Sequence, residues 1–333
     1  MTTDALSNQP LSRLSVLVSS FNKIDFLHQS ERYLQELSTL GAQVIIIEDS
    51  STDGSIERML EWPKVKTSEI ELIIQRNSGS AVSRNNAVTH ASRDYLLFVD
   101  IDDEVSIPDL LELFPKLLTS EAEIALSGYI QVPSNRPGPF PLNEYQDLKI
   151  SISEHRTELL NAMGWWRFIY AKSLFEKYDL MFLPTFADMG GKIFVLDDLF
   201  WLIHLFSLDF ALYRANAQTF IYRYFLPDEQ TEERKVWYQS QVQLMPKAMG
   251  LFLRDLKNHK CKHDREWLLK SSQGSLWQHA NFLNLRKFLQ SSLSYTKTSI
   301  QIDVALKNWS FIPTFNNFAR TTLRLSYLSM RKR

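Results

Sequence analysis

Residues 14–20 read LSVLVSS, a run of branched apolar residues that predicts a buried strand. The period then changes. Apolar residues at Ile24, Leu27, Leu34, Leu37 and Leu40 have helical spacing, and Gly41 stops that helix. Residues 43–47 (QVIII) predict a second strand and 56–62 a short helix. A third strand at 70–75, a helix at 80–92 and a fourth strand at 95–99 follow. Strand and helix thus alternate four times in about a hundred residues. This predicts an α/β fold, Rossmann-like, with a mostly parallel central sheet and right-handed crossovers. Further on, the pattern predicts a helix around 108–118, a strand in EIALSGYI from Glu123, and a proline-rich surface loop over 133–141 bordering the cleft. After Thr231 long helical patterns run over 232–258 and 263–293, with Pro246 kinking the first. The expected division is a polar tail at 1–12, an α/β domain at 13–225 and a helical region at 226–333.

Ligands of a parallel sheet gather at the carboxyl ends of its strands. The polar residues of this chain fall there. Ser19, Ser20, Phe21 and Asn22 follow the first strand, and Glu48, Asp49 and Asp53 the second. Asn77 and Ser78 follow the third, and Asp100, Asp102 and Asp103 the fourth. Loops are polar in any protein, but clustering this one-sided points to a binding site. Carboxylates as close as the last three repel one another unless a cation or a proton intervenes. Mg²⁺ or Mn²⁺ takes oxygen ligands and would relieve the repulsion. The same residues also suit a turn leading to a helix capped near Ser106 and Pro108.

The first strand-to-helix turn, SSFNKID, has no glycine, and no GxxxxGK[ST] loop occurs. A nucleotide would need its phosphates neutralised by a metal and basic side chains. Arg84, one turn beyond Asn77-Ser78-Gly79, is placed for that, although solvent exposure is the commoner fate of a lone helical arginine. The dense aromatics at Trp165 and Trp166 suit sugar faces as well as a core. Asp197 and Asp198 open an apolar helix, either as acids favoured at a helix start or as functional carboxylates facing the cleft.

Composition narrows the classes. The 333 residues are 44% hydrophobic with 21 Phe, 12 Tyr and 8 Trp, enough for a substantial core. A net charge of −1 supplies no global basic field, so no nucleic-acid partner is expected. The single cysteine, Cys261, excludes a disulfide framework and a cysteine-based zinc site. The first dozen residues lack an apolar signal core, and the stretch 199–213 is interrupted by His204 and Asp209 and too short to span a bilayer. A cytoplasmic protein is expected. Residues 315–333 mix Phe318, Leu323, Leu325 and Tyr327 with Arg320, Arg324, Arg331 and Arg333. This suits either peripheral contact with the inner face of a membrane or a terminal helix packed on its neighbours.

Five segments taken together resemble glycosyltransferase family 2 of the GT-A fold. They are VSSFN, EDSSTDGS, NSGSAVSRNNA, FVDIDDE and DDLFW, in the family's order over residues 13–225. The resemblance implies an inverting enzyme that moves a sugar from a nucleotide-diphospho-sugar, UDP-linked by expectation, to a saccharide, lipid-linked or surface-polymer acceptor. It implies that Ser19 and Phe21 line the base and ribose pocket, that Asp49 hydrogen-bonds the base, and that Arg84 sits near the diphosphate. Asp100, Asp102 and Asp103 would form the DxD region, with Asp100 toward the nucleotide and Asp102 and Asp103 on Mn²⁺ or Mg²⁺. Asp198 aligns with the general base, with Asp197 where the family prefers Glu, and Trp166 and Asp197 would face the acceptor. Phe21 replaces the usual Tyr, Leu196 replaces the Gly before the acidic pair, and no HxxS-like segment follows. Two rival readings are a non-catalytic nucleotide-sugar-binding protein on the same fold, and a DxD phosphohydrolase suggested by FVDIDDEV.

Overall fold

The structure, a computed structural model, describes residues 9–132, 136–137, 148–160, 165–182, 197–215, 217–223 and 267. The region expected to be helical, 226–333, lies outside the described residues apart from Trp267, and with it the patterns at 232–258 and 263–293 and the stretch 315–333. So does most of the segment 133–141. Among the described residues, no helix is long and apolar enough to cross a membrane.

In chain order, strand β1 (Leu14–Ser20) leads through a 3-10 turn (Ile24–Phe26) into helix α1 (Leu27–Thr39) and strand β2 (Gln43–Glu48). Helices α2 (Ser55–Leu60) and α3 (Pro63–Lys66) precede β3 (Ile70–Ile74), and α4 (Ser80–His90) precedes β4 (Tyr95–Asp100). Then come β5 (Glu104–Val105), α5 (Ile107–Ser120), β6 (Ile124–Leu126), β7 (Tyr129–Val132), β8 (Arg136–Pro137), β9 (Leu148–Ser151) and α6 (Ile152–Leu160). Strand β10 (Phe168–Ala171), α7 (Lys172–Tyr178), α8 (Asp197–Phe206), β11 (Ala211–Arg214) and β12 (Phe220–Arg223) complete the described part. An eight-stranded sheet runs β3-β2-β1-β4-β10-β6-β11-β9, and a four-stranded one runs β5-β12-β7-β8. The leading strands β3, β2, β1 and β4 are all parallel, as their alternation with helices requires.

These strands are apolar on both faces because helices cover both. Val16, Val18, Val44, Ile46, Leu97 and Val99 share one core cluster with Leu34 and Leu37 of α1 and Leu110 and Phe114 of α5. Leu17, Ile45, Ile47, Leu96 and Phe98 share the other with Ala81 and Ala87 of α4, Phe175 of α7 and Trp201 and Phe206 of α8. The change of face at each residue is the two-residue strand period.

Three element expectations change. Within 133–141, expected as a loop, residues 136–137 form β8, paired antiparallel with β7. The segment EIALSGYI is two strands in different sheets, β6 and β7. The chain is pinned between them: the Ser127 N–H donates to the Arg167 carbonyl at 3.2 Å and the Gly128 N–H to the Ala217 carbonyl at 2.7 Å. The short helix expected over 56–62 ends at Leu60, because Pro63 begins a new turn.

Candidate active site

The loops after β1 and β2 are tied to each other. The Asn22 N–H donates to the Ser51 hydroxyl at 2.7 Å, and the Asn22 side-chain oxygen accepts from the Thr52 N–H at 2.8 Å. Asn22 takes a left-handed backbone, φ 53°, a conformation that asparagine tolerates better than most residues. Asp53 accepts from the N–H groups of Ile24 (2.9 Å) and Ser55 (3.0 Å). Burial alone would raise the Asp53 carboxyl, but the Ser55 hydroxyl and these N–H groups outweigh it and hold it below its ordinary range. Phe21 stands at this edge, 41% exposed.

Asp49 is only 4% exposed. Its Oδ1 accepts from Gln75 Nε2 (2.7 Å) and the Ser78 N–H (2.8 Å), and its Oδ2 from the Gly79 N–H (2.8 Å). Gln75 is held in turn by Asn86, whose Nδ2 donates to it at 2.9 Å, and it donates to the Ser83 hydroxyl at 3.1 Å. Asp49 therefore fixes the start of α4, the helix that carries Arg84.

Arg84 is buried rather than solvated. At 8% exposure its guanidinium bonds Asp100 Oδ1 (3.3 Å) and lies over the Phe182 ring at 5.5 Å. Ser19, the register neighbour of Asp100 on β1, donates its hydroxyl to the same Oδ1 at 2.6 Å. The chain turns after Asp100, with the Asp103 N–H donating to the Asp100 carbonyl at 2.9 Å. On that turn Asp102 pairs with the ammonium of Lys23. Among the described residues no three His, Cys, Asp or Glu side chains form a ready metal cage. The donors at hand, Asp102 and Asp103, are hard oxygens. They fit a Mg²⁺ or Mn²⁺ ion that takes its remaining ligands from phosphate oxygens and water.

The second sheet closes this edge. Strand β5 directly follows the Asp turn and pairs antiparallel with β12, Glu104 opposite Ile221. Tyr222, the next residue of β12, therefore comes level with Asp103. Burial, then the charge of Asp103, then Tyr129, Asp100 and Asp102, push its hydroxyl up to about 12. Its ring stacks on Trp166 (centroids 5.0 Å apart, planes at 9°), and Tyr129 meets Trp166 edge-on at 4.9 Å. Tyr33 of α1 feels the same carboxylates. Its hydroxyl is raised well above its ordinary value by burial first and then by Asp103, Glu104, Asp102 and Asp100.

Asp197 and Asp198 are the first residues of α8; their side chains lie outside the described part of the structure. The helix itself is anchored one turn on. Trp201 stacks on Phe182 at 4.0 Å, and Phe182 also meets Phe98 of β4 at 5.1 Å. Arg84 and α8 thus share one aromatic support, the Phe182 ring.

The structure joins Ser19, Arg84 and Asp100 in one hydrogen-bonded set and pairs Asp102 with Lys23 on the turn that follows, with Asp103 on the same turn and Trp166 stacked on Tyr222. Asp49 acts one layer behind, through α4. Sequence reasoning missed Lys23, Tyr33 and Tyr222. Lys23 stood within the SSFNKID turn, so a basic residue among strand-end carboxylates was a usable signal. Tyr222 gave none, because it arrives through strand pairing alone.

A sheet whose leading parallel strands end at Ser20, Glu48 and Asp100, with Arg84 of α4 buried against Asp100, has the architecture of the GT-A fold. The glycosyl transferase family 2 model matches residues 15–200. The chain belongs to this family. It is 24% identical over 274 residues to the uncharacterized glycosyltransferase EpsJ of Bacillus subtilis, covering 79% of this chain and 78% of EpsJ. It is 27% identical over 116 residues to the putative teichuronic acid biosynthesis glycosyltransferase TuaG of the same organism, a match spanning 35% of this chain and 46% of TuaG, about half of that relative's length. Among solved structures it resembles S. aureus TarS 1–349 in complex with UDP, with TM-score 0.56 and 14% identity over 87% of this chain and 76% of that one. It also resembles the mannosyltransferase PcManGT from Pyrobaculum calidifontis in complex with GDP-Man and Mn²⁺, with TM-score 0.51 and 12% identity over 97% and 88%. These likenesses show the GT-A fold; FVDIDDEV runs from the end of the fourth strand through the turn into β5, and membership of the glycosyl transferase family sets aside the phosphohydrolase reading.

Proposed function

We propose that the protein is an inverting glycosyltransferase that moves a sugar from a UDP-linked donor to a saccharide, lipid-linked or surface-polymer acceptor. The observation that carries this reading is the joining of Ser19, Arg84 and Asp100 at one sheet edge, beside the Asp102–Asp103 turn. Complexes of the neighbouring folds with UDP and with GDP-Man and Mn²⁺ support a nucleotide-sugar and a divalent cation at that edge. Phe21 offers a flat apolar surface to the base, and the Asp49 network sets the base pocket's wall. Arg84 faces the diphosphate. A cation on Asp102 and Asp103 would supply positive charge against the departing nucleoside diphosphate. Asp198 takes the proton of the acceptor hydroxyl as that oxygen bonds the anomeric carbon and the bond from that carbon to the diphosphate oxygen breaks. Trp166, with Asp197 beside the base, borders the acceptor. The basic, apolar-striped stretch 315–333 supports peripheral contact with the inner membrane face, where a lipid-linked acceptor would lie.

The test is single-turnover transfer with saturating UDP-sugar and Mn²⁺. Asp198→Asn should bind donor normally and lose about 10²–10⁴-fold in rate. Asp197→Asn should lose less, since its neighbour on a helix points about a hundred degrees away. A fully active Asp198→Asn would remove the base assignment. Donor affinity with no released UDP from the wild type would favour the non-catalytic binding protein.

A further inference from the structure

Lys23 already holds a positive charge where a metal is wanted. Its ammonium is bonded to the carboxylate of Asp102, the residue assigned above to the cation. The lysine is delivered there by a fixed loop. Its own N–H donates to the Ser55 hydroxyl at 3.3 Å, and its neighbours Asn22 and Ile24 are tied to the β2 loop at 2.7–2.9 Å. The pair is shielded, with the side chains of Lys23 and Asp102 exposed by 32% and 18%. Asp100 has its own partner in Arg84. Asp100 and Asp102 are thus each matched by a cation of the chain itself.

We infer that Lys23 is the resident counter-ion of Asp102, that a divalent cation must displace its ammonium to reach that carboxylate, and that a bound diphosphate draws the displaced ammonium to its own oxygens. The inference rests on the metal assignment proposed above. The chemistry follows from the side chain. A lysine ammonium is a compact charge on a flexible stem, able to exchange one anionic oxygen for another. Without nucleotide, metal binding costs the Lys23–Asp102 pair. With a diphosphate bound, the ammonium has a new partner and the cost falls. Lys23 therefore couples the two binding events, and linkage makes the coupling reciprocal.

The probes are Mn²⁺ and UDP on the full chain, with free Mn²⁺ read by electron paramagnetic resonance. Without UDP, Lys23→Gln should bind Mn²⁺ at least tenfold more tightly than the wild type, and Lys23→Met should do the same. The factor by which UDP tightens Mn²⁺ should shrink in both variants. In an Asp102→Asn background, Lys23→Gln should change Mn²⁺ affinity little. The inference is overturned if Lys23→Gln and Lys23→Met bind Mn²⁺ no more tightly than wild type. It is equally overturned if the gain persists in Asp102→Asn, because that would be a general field effect, or if neither wild type nor variant binds Mn²⁺. Turnover of a UDP-sugar by the wild type is scored separately. Turnover that needs Asp102, with unchanged Mn²⁺ affinity in Lys23→Gln, sinks the coupling and leaves the transferase reading standing.

Discussion

Asp49 illustrates how a residue matched to a ligand by pattern can be bound first to its own chain. Both of its oxygens accept from Gln75 and from the N–H groups of Ser78 and Gly79. Asp49→Ala would strand the Gly79 N–H, the buried one of these donors, at about 1–3 kcal/mol for a buried unsatisfied group. The variant should show a lower urea midpoint at an unchanged slope, together with weaker UDP binding. A midpoint equal to wild type would contradict the network. Tyr222 gives a pH prediction. Its folded pKa of about 12 lies above the ordinary 10.0, so the unfolded chain ionises first. The stability it contributes is complete below pH 10.0 and is lost as pH rises toward 12. Tyr222→Phe should flatten the fall in denaturation midpoint across that window. Tyr33 and Tyr170 are shifted in the same direction, so part of the fall should remain. An identical pH profile in variant and wild type would remove Tyr222 from the carboxylate field.

At the scale of the element, the site depends on how α4 begins. Gly79 is its N-cap, with φ 88° and ψ 166°, a backbone region that only glycine occupies readily. Its N–H is also the donor to Asp49 Oδ2. Gly79→Ala should cost about 1–3 kcal/mol and weaken donor binding as well, because Arg84 moves with α4. Gly41 is the control. It too has positive φ (96°), and an added Cβ would meet Gln9 at 2.6 Å, but it precedes the amino end of β2, away from the strand ends. Gly41→Ala should destabilise without changing affinity for UDP. Calorimetric melting and UDP titration of both variants separate the two outcomes; equal loss of UDP affinity in both would count against a specific role for the α4 start. Elements of this kind were legible because helix and strand periods are local. Their joints were less so. Nothing in EIALSGYI reveals that it serves two sheets, since the hydrogen bonds that split it come from Arg167 and Ala217.

At the scale of the whole molecule, the second sheet and the aromatic support make one site from distant segments. Strand β12 returns to lie beside the Asp turn, and Trp201 of α8 reaches β4 through Phe182. The proposed membrane contact belongs to this scale too. Deleting residues 315–333 should release the protein from anionic vesicles, with transfer to a soluble acceptor retained. The intact protein's attachment should weaken with salt, since exposed charges are screened. Salt-insensitive sedimentation, or none with the intact chain, would end that proposal.

The sequence by itself determined the alternation of strand and helix, the parallel order that alternation demands, and the edge where Ser19, Asp49, Asn77 and Asp100 gather. Those features rest on period and on residue types placed at strand ends, information carried within a few neighbouring positions. Only the tertiary structure decided that Arg84 is buried against Asp100, that Lys23 pairs with Asp102, and that Tyr222 stands level with Asp103. A period states which face of an element is covered. It does not state which distant side chain arrives to cover it, and that is set by strand register and packing across the whole domain.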